Sequence, residues 1–261
     1  MDDLQLAINA ARAGGAIVRE GFDRGVTPQY KRRFDPVTEI DHASESAVLS
    51  IISEHRPGDA ILAEERGGTI PDGRIWIVDP LDGTVNFVHG IPQVAVSVGL
   101  WEDERPLAGV IYDPLRDECF SAAPGRGAHL NGRRLHASET DTLERSVMAT
   151  GFPYDHGDYA DEYAAVLEAV LGSVNGIRRF GSAALDLAWV AAGRYEGYWE
   201  LGVYPWDQAA GIVIVREAGG RVTDLNGDDS VPATRMVLSS NGLVHDALRE
   251  IIEPALPDRL R

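Results

Sequence analysis

The apolar pattern changes period near residue 140, so no single repeating unit accounts for the whole chain. Before that point come two helix-type stripes: Leu4, Ile8, Ala11, Val18 and Phe22, then Ala47, Val48, Ile51 and Ile52. Asp41 stands where an N-cap would begin the second helix, and Arg56-Pro57-Gly58 ends it. β-type segments follow at 60–63, 74–78, 94–101, 106–112 and 118–122, divided by Gly, Pro and Asp turns, and Asn131-Gly132 marks a tight hairpin. Beyond 140 the elements alternate: strand 146–150, helix from about Tyr159 to Leu171, strand 177–180, helix 182–192, strand 195–200, helix 206–218. Gly219-Gly220 stops that helix, and a strand at 236–239 and a helix near 243–252 complete the chain. A mainly antiparallel part over 1–140 and an alternating part over 141–261 predict layered α/β or α+β architecture, one compact unit with a cleft between its halves.

With 261 residues the chain can bury a large core unaided. Its formal charge of −17 repels phosphate backbones and anionic membrane surfaces, which argues against nucleic acid or membrane as partners. Cys119 is the only cysteine, so neither an internal disulfide nor a four-cysteine zinc site forms. The acidic start Met1-Asp2-Asp3-Leu4 lacks a signal peptide's basic and apolar regions, and no apolar run reaches membrane-spanning length. These features predict a soluble, cytoplasmic protein.

Chemistry concentrates in Trp76-Ile77-Val78-Asp79-Pro80-Leu81-Asp82-Gly83-Thr84-Val85-Asn86-Phe87, where a buried-type strand runs into two carboxylates and a glycine. Mg²⁺ prefers oxygen ligands and keeps several waters, so Asp79, Asp82 and the Leu81 carbonyl form a sufficient protein set. Gly83 permits close backbone approach, and a helix starting near Thr84 would aim free amides at a phosphate. Read alone, Asp-Pro-x-Asp-Gly is also an excellent turn. A second segment, Trp206-Asp207-Gln208-Ala209-Ala210-Gly211, opens a helix with Asp207 in its first turn, where an acid also serves as cap and dipole partner.

The two segments together resemble the signature pair of the inositol monophosphatase family. The likeness extends to Asp35-Pro36-Val37-Thr38-Glu39-Ile40-Asp41, Ala63-Glu64-Glu65, Gly181-Ser182-Ala183-Ala184 and Glu200, nearly the whole chain. The resemblance implies a sugar-phosphatase-type α-β-α-β-α sandwich with two sheets. It implies two or three Mg²⁺ per site: Glu64, Asp79 and the Leu81 carbonyl on the first, and Asp79, Asp82 and Asp207 on the second. A third, weaker ion lies near Glu64, with Asp41 behind it. Catalytic roles fall to Glu64 and Thr84, which orient the attacking water and accept its proton, and to Asp41. Substrate contacts fall to Asp82, Gly83, Thr84, Gly181, Ser182, Ala183, Glu200 and Asp207, with free amides at the Ser182 helix start.

The implied reaction is hydrolysis of a small phosphate monoester without a phosphoenzyme, myo-inositol 1-phosphate foremost, with Li⁺ sensitivity and a homodimer. Fructose 1,6-bisphosphate, histidinol phosphate and adenosine 3′,5′-bisphosphate are the alternative substrates within the superfamily. A regulatory binding protein without catalysis is the alternative of another class, and its sequence mark would be loss of a metal ligand. Glu64, Asp79, Asp82, Thr84 and Asp207 are all present. Two departures from the family pattern are Ala63 and Arg66, where relatives often carry Gly and Ser. Lys31-Arg32-Arg33 reads as a solvated basic loop, although Lys31 could face phosphate.

Overall fold

A computed structural model describes residues 1–152 and 160–256. In chain order the first half holds α1 (Asp3–Phe22), β1 (Gln29–Arg32), β2 (Asp35–Val37), α2 (Glu39–His55), β3 (Ala60–Ala63), β4 (Arg74–Asp82) and the short α3 (Thr84–Val88). Strands β5 (Ala95–Glu102), β6 (Arg105–Asp113), β7 (Glu118–Ala123), β8 (Gly127–Leu130) and β9 (Arg133–Arg134) follow. The second half holds β10 (Val147–Thr150), α4 (Ala160–Leu171), β11 (Gly176–Arg178), α5 (Ala183–Ala191), β12 (Gly197–Leu201), α6 (Pro205–Glu217), β13 (Arg221–Thr223), β14 (Met236–Ser240) and α7 (His245–Ile252).

Strands β3 to β9 form a seven-stranded sheet in chain order, antiparallel except for the parallel pair β3 and β4. The second sheet has the order β11-β10-β12-β14-β13 and is mixed, with β10 parallel to both neighbours. Strands β1 and β2 make a separate two-stranded ribbon.

The two-residue strand period sorts side chains into layers. On β4, Trp76 and Val78 pack with Leu6 and Ala10 of α1 and Val48 and Ile52 of α2, whereas Ile75 and Ile77 face Leu187 of α5 and Ile212 of α6. On β12, Tyr198 joins that same central layer, and Trp199 turns outward to Val166 of α4 and Leu248 of α7. Both faces of each sheet are therefore covered, which is why the central strands read as near-continuous apolar runs. The result is an α-β-α-β-α sandwich. At the centre, a Cβ added to Gly109 of β6 would stand 2.4 Å from the Ala210 carbonyl oxygen, so α6 lies directly on the sheet. Among the described residues no helix is long and apolar enough to cross a membrane.

The structure corrects the sequence reading in several places. The N-cap of α2 is Thr38, not Asp41. Thr38 Oγ accepts from the Ile40 amide at 3.1 Å, and Asp41, in the first turn, accepts from the Thr38 amide at 2.8 Å. This is a capping box with Asp as its acid, and one turn of helix precedes the predicted start. The ribbon β1–β2 and strand β13 were not anticipated, being only three or four residues long. Tyr159, the expected start of α4, lies outside the described residues.

Candidate active site

Parallel pairing of β3 with β4 sets Ala63 opposite Val78, so the next residues along, Glu64 and Asp79, emerge side by side at the same sheet end. The Glu64 amide donates to the Val78 carbonyl at 3.1 Å and holds this register past the strand. The ladder of β4 with β5 is irregular between Asp79 and Asp82, and the chain then turns at Gly83 with φ of 89°. A Cβ there would also meet the Gln93 carbonyl oxygen at 2.7 Å, so only glycine fits. Asp207 reaches the same place from α6, which Pro205 starts and which the Trp101 indole anchors by donating to the Ala209 carbonyl at 3.0 Å.

These segments line one cleft of about 200 Å³ with Glu64, Asp79, Leu81, Asp82, Gly83, Thr84, Gly181, Ser182, Ala183, Glu200 and Asp207 on its wall. Asp41 does not line it. It stands behind Thr84, whose hydroxyl lies 2.9 Å from Asp41 Oδ1 and 3.0 Å from the Leu81 carbonyl oxygen. The sequence separates these residues by up to 166 positions, from Asp41 to Asp207.

Each carboxylate is engaged by the protein. Lys31 donates to Glu64 at 2.7 Å and to Glu65 at 2.8 Å. Asp79 accepts from the Leu81 amide at 3.0 Å, and Asp207 from the Tyr204 amide at 2.7 Å. Asp82 accepts from the Ser182 hydroxyl at 2.5 Å and the Ala184 amide at 2.9 Å. The α5 start expected to offer free amides is thus directed onto Asp82. Glu200 accepts from the Tyr198 hydroxyl at 2.5 Å.

Burial is the largest influence on all of these groups. It lifts Glu64 to about 7 despite Lys31 beside it. Asp82 rises to about 6 against the opposing Ser182 hydroxyl and α5 amides. Asp79 is raised well above the usual carboxylate range by burial and by the charges of Glu64, Asp82 and Asp207. Asp207 is raised likewise, with the Tyr204 amide opposing. Glu200 is lifted to about 7, with Tyr198 and Arg179 opposing. Charging this set without further cations is costly.

The donor set is all oxygen, carboxylate-rich and largely dry, which suits a hard divalent cation. Among the described residues no three Asp, Glu, His or Cys side chains are gathered tightly enough to hold an ion as they stand. The fit therefore lies in the chemistry of the donors and their shared cleft.

The run 31–33 reads as a solvated loop in sequence, yet Lys31 is in contact with Glu64. Nothing in the sequence separates it from Arg32, whose side chain is 72% exposed against 27% for Lys31. The sequence does not mark Ser44 and Arg179, whose contacts join remote segments, nor Tyr198, whose i, i+2 bond to Glu200 on one strand shows only once the strand is built. Ser44 Oγ donates to the Pro80 carbonyl at 2.7 Å and pins the Asp79–Asp82 turn from α2.

Five alternating layers with an acid-lined cleft at the strand ends define a layered α/β sandwich with one carboxylate-rich site. Residues 2–256 match the model of the inositol monophosphatase family. The Nus factor SuhB of Pseudomonas aeruginosa is 40% identical over 266 residues, spanning 99% of this chain and 98% of that protein. An inositol-1-monophosphatase of Synechocystis is 42% identical over 252 residues, spanning 95% and 88%. The solved structure of inositol monophosphatase from Anabaena (Nostoc) is similar with a TM-score of 0.88 at 42% identity, covering 97% of this chain and 96% of that one. The chain belongs to the inositol monophosphatase family.

Proposed function

We propose that this protein hydrolyses a small phosphate monoester, myo-inositol 1-phosphate foremost, with Mg²⁺ held by Glu64, Asp79, the Leu81 carbonyl, Asp82 and Asp207. The observation that carries the reading is the delivery of four largely buried carboxylates from three remote segments to one cleft, a charge cluster that Lys31 alone does not balance. When bound, Mg²⁺ would polarise the phosphoryl oxygens and ease ionisation of water.

The chain's own groups do the rest. Glu64 and the Thr84 hydroxyl orient the attacking water, and the proton passes to Glu64, or through Thr84 to Asp41 Oδ1, 2.9 Å away. Asp207, which lines the same cleft from α6, would face the leaving oxygen. Glu200 lines the cleft with one oxygen on Tyr198, and its other oxygen would accept a substrate hydroxyl, which favours a polyol. Ser182, held on Asp82, fixes the position of the Gly181–Ala183 backbone along the substrate. Cytoplasmic location, a homodimer and Li⁺ sensitivity accompany this reading.

Phosphate release from inositol 1-phosphate, fructose 1,6-bisphosphate, histidinol phosphate and adenosine 3′,5′-bisphosphate, each with and without Mg²⁺, tests the proposal. A Mg²⁺-dependent preference for inositol 1-phosphate is expected. Preference for another of the four would replace the substrate, and silence on all would favour a binding role of the kind the Pseudomonas relative's name denotes.

A further inference from the structure

Helix α2 presents three buried polar side chains toward the cleft at the spacing of one helix face, Asp41, Ser44 and Glu45. Each holds a different part of the site. Asp41 meets the Thr84 hydroxyl, and Ser44 holds the Pro80 carbonyl. Glu45 Oε2 accepts from the backbone amides of Glu65 at 2.9 Å and Arg66 at 3.2 Å.

The Glu45 contact matters because of what it restrains. Glu64, Glu65 and Arg66 form the tip of a turn leaving β3, closed by the Gly67 amide donating to the Ala63 carbonyl at 2.8 Å. Beyond that closing bond and the Glu64 amide on Val78, the amides at the tip face α2 and have Glu45 as their acceptor. Glu45 as a residue is 8% exposed, so it does not exchange these amides freely for water. Two consecutive amides on one carboxylate oxygen fix the tip's distance and its rotation, and with them the direction in which Glu64 leaves the backbone.

We propose that Glu45 is a positioning residue: by holding the Glu65 and Arg66 amides it sets Glu64 at the place where a divalent cation binds. The inference rests on the reading of Glu64 as a metal ligand. It makes α2 the template of the site, with both ligand-bearing turns pinned to one helix face. What Glu45 supplies is reach and an acceptor oxygen, and its charge is secondary.

Two substitutions separate those properties. Glu45→Asp keeps the charge and shortens the reach by one methylene, whereas Glu45→Gln keeps the reach and an acceptor oxygen and removes the charge. Mn²⁺ binding to the full chain, followed by the electron paramagnetic resonance of the free ion, is the readout, with circular dichroism in EDTA as the check on folding. Glu45→Asp should weaken Mn²⁺ binding by about 10- to 100-fold, the range for lost outer-shell support, and Glu45→Gln should stay within about threefold of wild type. Wild-type affinity in a folded Glu45→Asp, or a loss in Glu45→Gln as large as in Glu45→Asp, overturns the inference. Wild-type protein that binds no Mn²⁺ refutes the metal-site reading itself and this inference with it.

Discussion

Replacing Lys31 by Met removes an ammonium of similar reach from a cluster of carboxylates. Its Nζ lies 2.7 Å from Glu64, 2.8 Å from Glu65 and 3.6 Å from Asp35, with the lysine side chain 27% exposed. A hydrogen bond to a charged group contributes about 1.5–3 kcal/mol. Removing a partly buried ammonium also relieves its own desolvation, so the two bonds do not add. A net loss of about 1–3 kcal/mol in EDTA follows, which for a domain of this size lowers the melting temperature by roughly 2–6 °C. On the proposed metal site, a cation bound to Glu64 would replace the charge that lysine supplies, and ligand binding stabilises by about 2.7 kcal/mol at a hundred times its dissociation constant. Melting curves of wild type and Lys31→Met, each in EDTA and in saturating MgCl₂, should therefore show a deficit that shrinks in Mg²⁺. A deficit of equal size in both solutions would refute the idea that lysine and metal serve the same carboxylate.

Three further expectations concern the cleft and the scaffold around it. His245 is fully buried, its ring nitrogens 2.9 Å from Ser240 Oγ and 3.0 Å from Thr223 Oγ, and burial lowers it to about 4. The unfolded chain thus binds the extra proton between pH 6.5 and about 4, so stability present above pH 6.5 is lost as pH falls through that window, roughly 3 kcal/mol in all. Urea midpoints should fall across it in wild type and fall less in His245→Gln, and equal pH slopes would deny the assignment. Gly109→Ala, which drives a Cβ into the Ala210 carbonyl, should cost about 1–3 kcal/mol, while Gly58→Ala, which meets nothing within 4 Å, should stay near wild type by the same unfolding assay. Glu200→Gln should raise KM for inositol 1-phosphate several-fold, measured by phosphate release, while leaving Mn²⁺ affinity unchanged.

The order and type of most elements were legible because their apolar periods are long and unbroken, as in α6 and in the run Ile75–Val78 of β4. The pair of motifs around Asp79 and Asp207 carried the family, since both lie on continuous segments where strand end or helix start fixes the geometry locally. What stayed hidden depends on proximity between remote segments. Glu45 on α2 and Lys31 on β1 look like ordinary charged residues until the fold brings the Glu64 turn against them. The free amides expected at α5 were misjudged for the same reason: Asp82, 100 residues earlier, occupies them. Asp41 reads as the N-cap itself in sequence, whereas Thr38 is the cap and Asp41 is the acid of its capping box, also in contact with Thr84.

We read the acid cluster as the seat of a cation that drives phosphate-ester hydrolysis. The most direct test is the Mg²⁺ dependence of phosphate release from inositol 1-phosphate by wild type and by Asp82→Asn, with circular dichroism confirming that both are folded. Turnover should rise with Mg²⁺ in wild type and fall at least about a thousandfold in Asp82→Asn, several kcal/mol of transition-state stabilisation. Turnover by Asp82→Asn at the wild-type rate, or by wild type at full rate in EDTA, would contradict that reading.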